Sequence, residues 1–301
     1  MKRTMSVLLV FIIATTSCGV RPNTPSRVPV SQTKLKASAV TFDKIAGGML
    51  EAWHANDLQA VSNIFTTDAE AYDRSFGDHV VGPDQIMGLI AIVSSFGSEW
   101  AALQTDQYIG LDDGIVIDEL WNLKFGSIQF TQDHPMMEVD WLQTQDNRIS
   151  KWTILYGLDT LEELDIPTQQ RLDQARSLLS SYQAAWSSGE SHTVGQLYAS
   201  DAVREDTVFL ERQEGQKAIK AFAGSFFDWF PGVQWITSFE FGEGRGDTPI
   251  TGGLYAIKVT NPNEQPCEVK VAVLLQTIDN LIIQEKLYYE PQSLISCGWA
   301  Q

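Results

Sequence analysis

WSSGESHTVGQLYASDAVREDTVFLERQEG, residues 186–215, has a counterpart earlier in the chain: WHANDLQAVSNIFTTDAEAYDRSFGDHVVG, residues 53–82. Trp186 answers Trp53, Val194 answers Val61, Asp201-Ala202 answers Asp68-Ala69, Asp206 answers Asp73 and Gly215 answers Gly82, each pair 133 positions apart. Ile219 and Ile86 keep the same spacing. So, far downstream, do Gln276-Thr277, Asp279-Asn280, Ile282 and Tyr289 with Gln143-Thr144, Asp146-Asn147, Ile149 and Tyr156. One offset held at both ends of so long a stretch marks two copies of a domain-sized unit, not a short solenoid repeat.

The 301 residues suffice for two compact units, each long enough to bury its own core. A hydrophobic share of 44% belongs to globular domains. Net charge is −17, or −19 once Lys2 and Arg3 leave with a leader. Such acidity repels phosphate backbones, so no nucleic-acid partner is expected, and it keeps an exported protein soluble.

The start of the chain reads as a leader. Lys2 and Arg3 precede an apolar core from Val7 to Ala14, too short for a membrane-spanning helix and suited to a signal peptide, residues 1–17. The small residues before Cys18 resemble a bacterial lipoprotein cleavage site, with Thr15 departing from the usual Leu; the alternative is plain secretion. The expected location is extracytoplasmic, with membrane attachment only through a lipid on Cys18. Residues 18–40, polar and rich in Pro, Ser and Thr, read as a disordered tether. Cys267 and Cys297 then remain as a disulfide candidate in an oxidising compartment, or as two free thiols.

Each unit begins with helices and ends with strands. Phe42, Ile45, Met49, Leu50 and Trp53 recur at helical spacing, and Val61, Ile64 and Phe65 suggest a short second helix. An extended piece carries Asp73, and a third helix follows Gly82-Pro83. From Trp100 onward β-branched and aromatic residues alternate with turns at Asp112-Asp113-Gly114, Asp133-His134-Pro135 and Asp146-Asn147, predicting hairpin-linked antiparallel strands. The second unit repeats this after an acidic linker, residues 159–167. The divisions are thus 41–158 and 168–293 for the two domains and 294–301 for a tail. The fold class is α+β, helices packed on one face of a sheet.

The run Leu-Tyr-Ala-x-Asp-Ala-x-x-x-Asp, the Gly-x-x-x-Ile after it and the strand meander resemble the SnoaL-like and ketosteroid-isomerase-like proteins. The resemblance implies two tandem cone-shaped domains of nuclear transport factor 2-like fold, each with helices closing a curved antiparallel sheet around a pocket. That fold hosts enzymes, carriers and interaction modules, so it does not fix function. Ketosteroid isomerases use an Asp base with a Tyr and a protonated Asp as oxyanion donors. By the resemblance the base falls on Asp206 and Asp73, and the tyrosine on Tyr182. Met49 stands in the tyrosine's place in the first unit. The second Asp falls on Asp140 in the first unit and on Val273 in the second. Each unit has two of the three groups, and a different two.

Each candidate has a plainer alternative. Asp73 and Asp206 could serve as structural carboxylates binding backbone amides; Asp68 and Asp201 are expected in that role, as turn or capping groups. On a strand, Met136, Glu138, Asp140 and Leu142 share one face, and Met137, Val139 and Trp141 the other. The resemblance puts the first set in the pocket and the second against another sheet; a register slip would leave Asp140 facing solvent. Tyr182 lies on an apolar helix stripe, where core filling is the default. Trp53, Trp186, Met49, Val273 and Glu138 complete the expected pocket. His54, His79, His134 and His192 form no ligand grouping, so neither metal nor cofactor is expected.

Three functions fit. The first is an exported, lipid-anchored protein binding a small, largely apolar ligand. The second is an isomerase, cyclase or dehydratase with an Asp general base. The third is an envelope interaction module; compatible with either, the two units could pair as an intramolecular pseudo-dimer.

Overall fold

The computed structural model describes residues 30–300, apart from 56, 96–101, 112, 123, 126, 132, 167–168, 246–247 and 261–264. The expected leader, Cys18 and the start of the expected tether lie outside the described residues.

The first half comprises α1 (Gln32–His54), α2 (Leu58–Ile64), β1 (Phe65–Asp73), β2 (Asp78–Val81), α3 (Pro83–Ser95), β3 (Ala102–Gly110), β4 (Gly114–Trp121), the small hairpin of β5 (Lys124–Phe125) and β6 (Ile128–Gln129), β7 (Met136–Gln145) and β8 (Arg148–Gly157). After α4 (Leu158–Glu163) the order returns without the small hairpin. It runs α5 (Gln169–Ser187), α6 (Ser191–Gln196), β9 (Tyr198–Asp206), β10 (Glu211–Glu214), α7 (Gln216–Trp229), β11 (Gln234–Gly242), β12 (Ile250–Thr260), β13 (Pro266–Ile278), β14 (Leu281–Tyr289) and α8 (Pro291–Ser296).

Both halves share their connections as well as their order. β1 lies parallel to β8, and β9 parallel to β14; every other pairing is antiparallel. The hairpins β7–β8 and β13–β14 turn on Asp146-Asn147 and Asp279-Asn280, all four at positive φ as a two-residue hairpin loop of type I′ requires. Gly82 (φ 81°) and Gly215 (φ 83°) each enter the third helix of their half, their N–H groups bonding Ala69 O at 2.8 Å and Ala202 O at 2.7 Å. A side chain at Gly215 would sit 3.1 Å from Ser200 O in a backbone region that L residues avoid.

Strand periodicity then divides the apolar residues between two cores. Ile115, Ile117, Leu142, Ile154, Val271, Val273 and Leu275 face the helices. Tyr108, Val116, Val139, Trp141 and Leu155 face the other way, against Phe241, Ile250, Leu254, Ala272, Leu274 and Tyr288 of the second half. The two sheets thus bury their outer faces on one another. They join at both margins, through Phe241↔Gly157 and Gly242↔Tyr156 at one and Tyr289↔Ile109 at the other, giving a single 12-stranded sheet. Trp141 Nε1 donates to Tyr288 Oη at 2.9 Å inside that seam.

Several sequence expectations need correction. Residues 32–40 are not tether: α1 begins at Gln32, and Leu35 is fully buried, extending the Phe42, Ile45, Met49 stripe by two turns. The acidic linker is largely a helix that buries Leu158, Thr160 and Leu161 and turns its acids to Arg176, which bonds Asp159 at 2.8 Å and Glu162 at 2.6 Å. The tail is no loose end either. α8 crosses its boundary, capped by the Glu290 carboxylate, and Ala300 bridges Val30. A Cys267–Cys297 disulfide ties it to β13. Asp68 and Asp201 lie exposed within β1 and β9, not at turns or caps. Phe65 and Tyr198 start strands instead of ending helices.

Candidate functional site

β4 and β7 lie side by side with Glu119 directly opposite Glu138 and Ile117 opposite Asp140. The strand period sends Glu119, Glu138 and Asp140 to the same inward face as Ile115, Ile117 and Leu142. Like charges paired across strands destabilise a sheet. Here they are also buried, with Glu119 1%, Glu138 6% and Asp140 1% exposed. A carboxylate oxygen from each lies within 4.8 Å of one from the others. Trp152 Nε1, on β8, donates to Asp140 Oδ1 at 2.6 Å. Neither oxygen of Glu119 has a hydrogen-bond partner among the described residues.

Asp73 completes the group from the end of β1, 2% exposed. Tyr156 Oη donates to its Oδ2 at 2.9 Å and Phe76 N to its Oδ1 at 3.3 Å. Among the described residues, no Lys or Arg forms an ion pair with any of these acids. Burial therefore dominates their protonation. It lifts Asp73 to about 6, against the opposing bonds from Tyr156 and Phe76. It lifts Asp140 to about 7, against the Trp152 bond and with help from the charge of Asp73. Glu119 and Glu138 are pushed well up by burial and then by the charge of Asp140.

Asp73 supplies a pH test. Its folded value, about 6, lies above the ordinary 3.8, so the folded chain holds a proton that the unfolded chain has released between those limits. Wild-type stability should therefore fall relative to Asp73→Asn as pH rises from 4 through 6, by up to about 3 kcal/mol. Urea denaturation of both proteins at intervals across this window measures the difference; a constant difference contradicts the burial of an uncompensated Asp73.

In the second half the same strand positions carry a different floor. Asp206 takes the place of Asp73 and accepts from Tyr289 Oη at 2.7 Å and Phe209 N at 2.9 Å. The register that pairs Glu119 with Glu138 and Ile117 with Asp140 here pairs Tyr255 with Val271 and Gly253 with Val273. Tyr255, Val271 and Val273 therefore stand where the first half has its three acids. The buried acid is instead Glu285, at the position of Trp152. It accepts from Tyr182 Oη at 2.7 Å and from Tyr198 Oη, and pairs with Arg204 at 3.4 Å. The three partners occupy the positions of Met49, Phe65 and Ala71, all apolar. Arg204 also lies over the Phe222 ring, 4.4 Å from its centroid. This centre is charge-compensated.

Asp73, Asp140 and Glu138 thus come together, whereas Asp206 and Tyr182 belong to separate networks, on Tyr289 and Glu285. The expected carbonyl-polarising role of Tyr182 is corrected: its hydroxyl is committed to Glu285, and Trp186, Trp235 and Tyr255 surround its ring at 5.7–6.1 Å. Trp186 is likewise core, packed on Phe226 and Trp235 at 5.7 Å, not a pocket wall. Val273 and Met49 are fully buried; Trp53 lies on α1, its side chain outside the described residues. Among the described residues, cavities of about 590, 400 and 280 Å³ open elsewhere; of the expected site residues, Asp206 alone lines one of these three, the smallest, with Thr207 and Lys286. Sequence reasoning missed Glu119, although its alternation with Ile115, Ile117 and Trp121 placed it inward. It missed Glu285 as well, two residues before Leu287 and four before Tyr289 on the same face.

No family model matches the chain, and no curated protein matches it. Solved structures similar to parts of it are ketosteroid-isomerase-like, nuclear transport factor 2-like and SnoaL-like proteins. A Catenulispora acidiphila protein of ketosteroid isomerase-like fold, solved with trimethylamine, is 20% identical over 41% of this chain and 93% of its own, at a TM-score of 0.36. A nuclear transport factor 2-like protein of unknown function from Cytophaga hutchinsonii is 12% identical over 40% and 94%, at 0.31. A SnoaL-like family protein from Agrobacterium tumefaciens is 20% identical over 39% and 97%, at 0.32.

Proposed function

We propose that this chain is an exported, lipid-anchored binding protein made of two cone-shaped domains in tandem, with its working site in the first and a structural, charge-compensated floor in the second. The two pair through their sheets as an intramolecular pseudo-dimer, a reading supported by the apolar seam around Trp141 and Tyr288. The ligand is small and largely apolar, with a polar head that meets Asp73, Glu138 and Asp140. One observation carries this: the first half buries a set of acids that no Lys or Arg among the described residues pairs with, while the second half buries an acid that Arg204 does. Buried polar groups left unsatisfied cost about 1–3 kcal/mol each, and sites that bear such a cost are commonly functional. A second reading, an isomerase, cyclase or dehydratase, draws on Asp73. A carboxyl poised at about 6 and held by Tyr156 is a fitting general base near neutral pH. The third is an envelope interaction module.

Native mass spectrometry of full-length protein from its own membrane fraction tests the proposal. A small molecule should co-purify with wild type and Tyr182→Phe and be lost from Asp140→Asn. Loss from Tyr182→Phe with retention in Asp140→Asn would move the site to the second domain. A chain that carries nothing in any form leaves the interaction reading.

A further inference from the structure

The floor of the first half carries more than a generic polar patch. Glu119 is 99% removed from solvent, both its oxygens lack partners, and it is aimed at Glu138 and Asp140, whose ligand oxygens lie within 4.8 Å. A glutamate that merely stabilised this sheet would be expected to find a donor, as Glu285 finds Tyr182, Tyr198 and Arg204. The fold itself does not require these acids, because the matching positions of the other half are Tyr255, Val271 and Val273.

We propose that Glu119, Glu138 and Asp140 form the seat of a hard divalent cation of calcium size. Calcium takes oxygen ligands at about 2.3–2.6 Å in adaptable geometry, so opposed ligands stand about 5 Å apart, a span these carboxylates already approach. Magnesium needs a tighter octahedron at about 2.0–2.1 Å and keeps several waters, which suits this enclosed floor less well. Zinc favours nitrogen and sulfur, and none of the three ligands supplies either. Trp152 holds Asp140 through Oδ1, which orients the carboxylate and leaves Oδ2 for the ion, as a neighbour supporting a metal ligand does. The seat stands whether or not an organic molecule also occupies the domain, because its test reads the ion alone.

Terbium serves as the probe, since it takes calcium sites and luminesces when a nearby indole is excited; Trp152 is bonded to one proposed ligand. Full-length, disulfide-intact protein stripped with chelator should show tryptophan-sensitised terbium emission that calcium displaces. Glu119→Gln, which keeps the side chain's shape, should weaken terbium binding at least about tenfold, a loss of roughly 1.4 kcal/mol. Asp201→Asn, on the exposed strand surface, should leave it unchanged. The proposal is overturned if emission is absent, if Glu119→Gln matches wild type, or if magnesium displaces the probe and calcium does not. Circular dichroism of each variant separates lost binding from lost folding. Should Glu119→Gln unfold, Glu138→Gln carries the same expectation.

Discussion

Arg204→Met is expected to destabilise the protein by about 3–5 kcal/mol, the usual cost of removing one partner of a buried ion pair. Arg204 is 3% exposed and Glu285 is fully buried. Removing the guanidinium strips Glu285 of its only cation among the described ion pairs, leaving two tyrosine hydroxyls to hold it. Arg204 also bonds Gln213 Oε1 at 3.0 Å through Nη1 and stacks over Phe222, so packing is lost with the charge. Equilibrium urea denaturation at neutral pH measures the change, with Arg212→Met as reference. Arg212 is half exposed and pairs with Glu205 and Glu214 at the surface, where ion pairs contribute little to stability. Equal effects from the two arginines would mean that the second floor is not the compensated structural centre described above.

Trp141→Ala should cost a similar amount, about 3–5 kcal/mol for truncating a large buried aromatic side chain. Its ring lies 6.5 Å from that of Tyr288 in an edge-on contact, within the seam where the two sheets meet. The indole N–H bonds the Tyr288 hydroxyl, which donates in turn to Asp113, so truncation leaves that hydroxyl short of a donor too. Calorimetric melting reads the consequence. A loss below about 1 kcal/mol would show that the halves do not depend on this seam.

The recurring helix-then-strand order and the paired hairpin turns were legible in the sequence because they rest on residues that both halves need. Asp146-Asn147 and Asp279-Asn280 must tolerate positive φ, and Gly82 and Gly215 must enter a helix from a conformation closed to other residues. The parity of β7 was left open between two readings by the sequence, and the packing decides it. Val139 and Trp141 do face another sheet, and Glu138 and Asp140 face inward, although the former pair is the more apolar. What the offset hides is divergence. The copies keep Asp73 with Tyr156 and Asp206 with Tyr289, yet exchange every other polar group on the floor. An acid set on β4 and β7 gives way to Tyr255 and two valines, while Met49, Phe65, Ala71 and Trp152 give way to Tyr182, Tyr198, Arg204 and Glu285. Matching identical residues cannot show which unlike residues meet in space. The same limit hides the convergence of Glu119, Glu138 and Asp140, which come from two strands and share no sequence spacing of their own. The tether boundary failed for a simpler reason: Leu35 stands alone among polar neighbours, and only the packing of α1 reveals that it continues the apolar stripe.

If the first floor exists for binding and the second for folding, removing the first floor's acids should strengthen the fold. Chemical denaturation of Glu119→Leu/Glu138→Leu beside wild type, both in chelator-treated buffer at neutral pH, asks this directly. The double variant exchanges two buried acids for apolar groups of similar size and should be more stable by about 1–3 kcal/mol. A variant less stable than wild type would show that these acids hold the sheet together, and the assignment of the working site to the first half would fail with it.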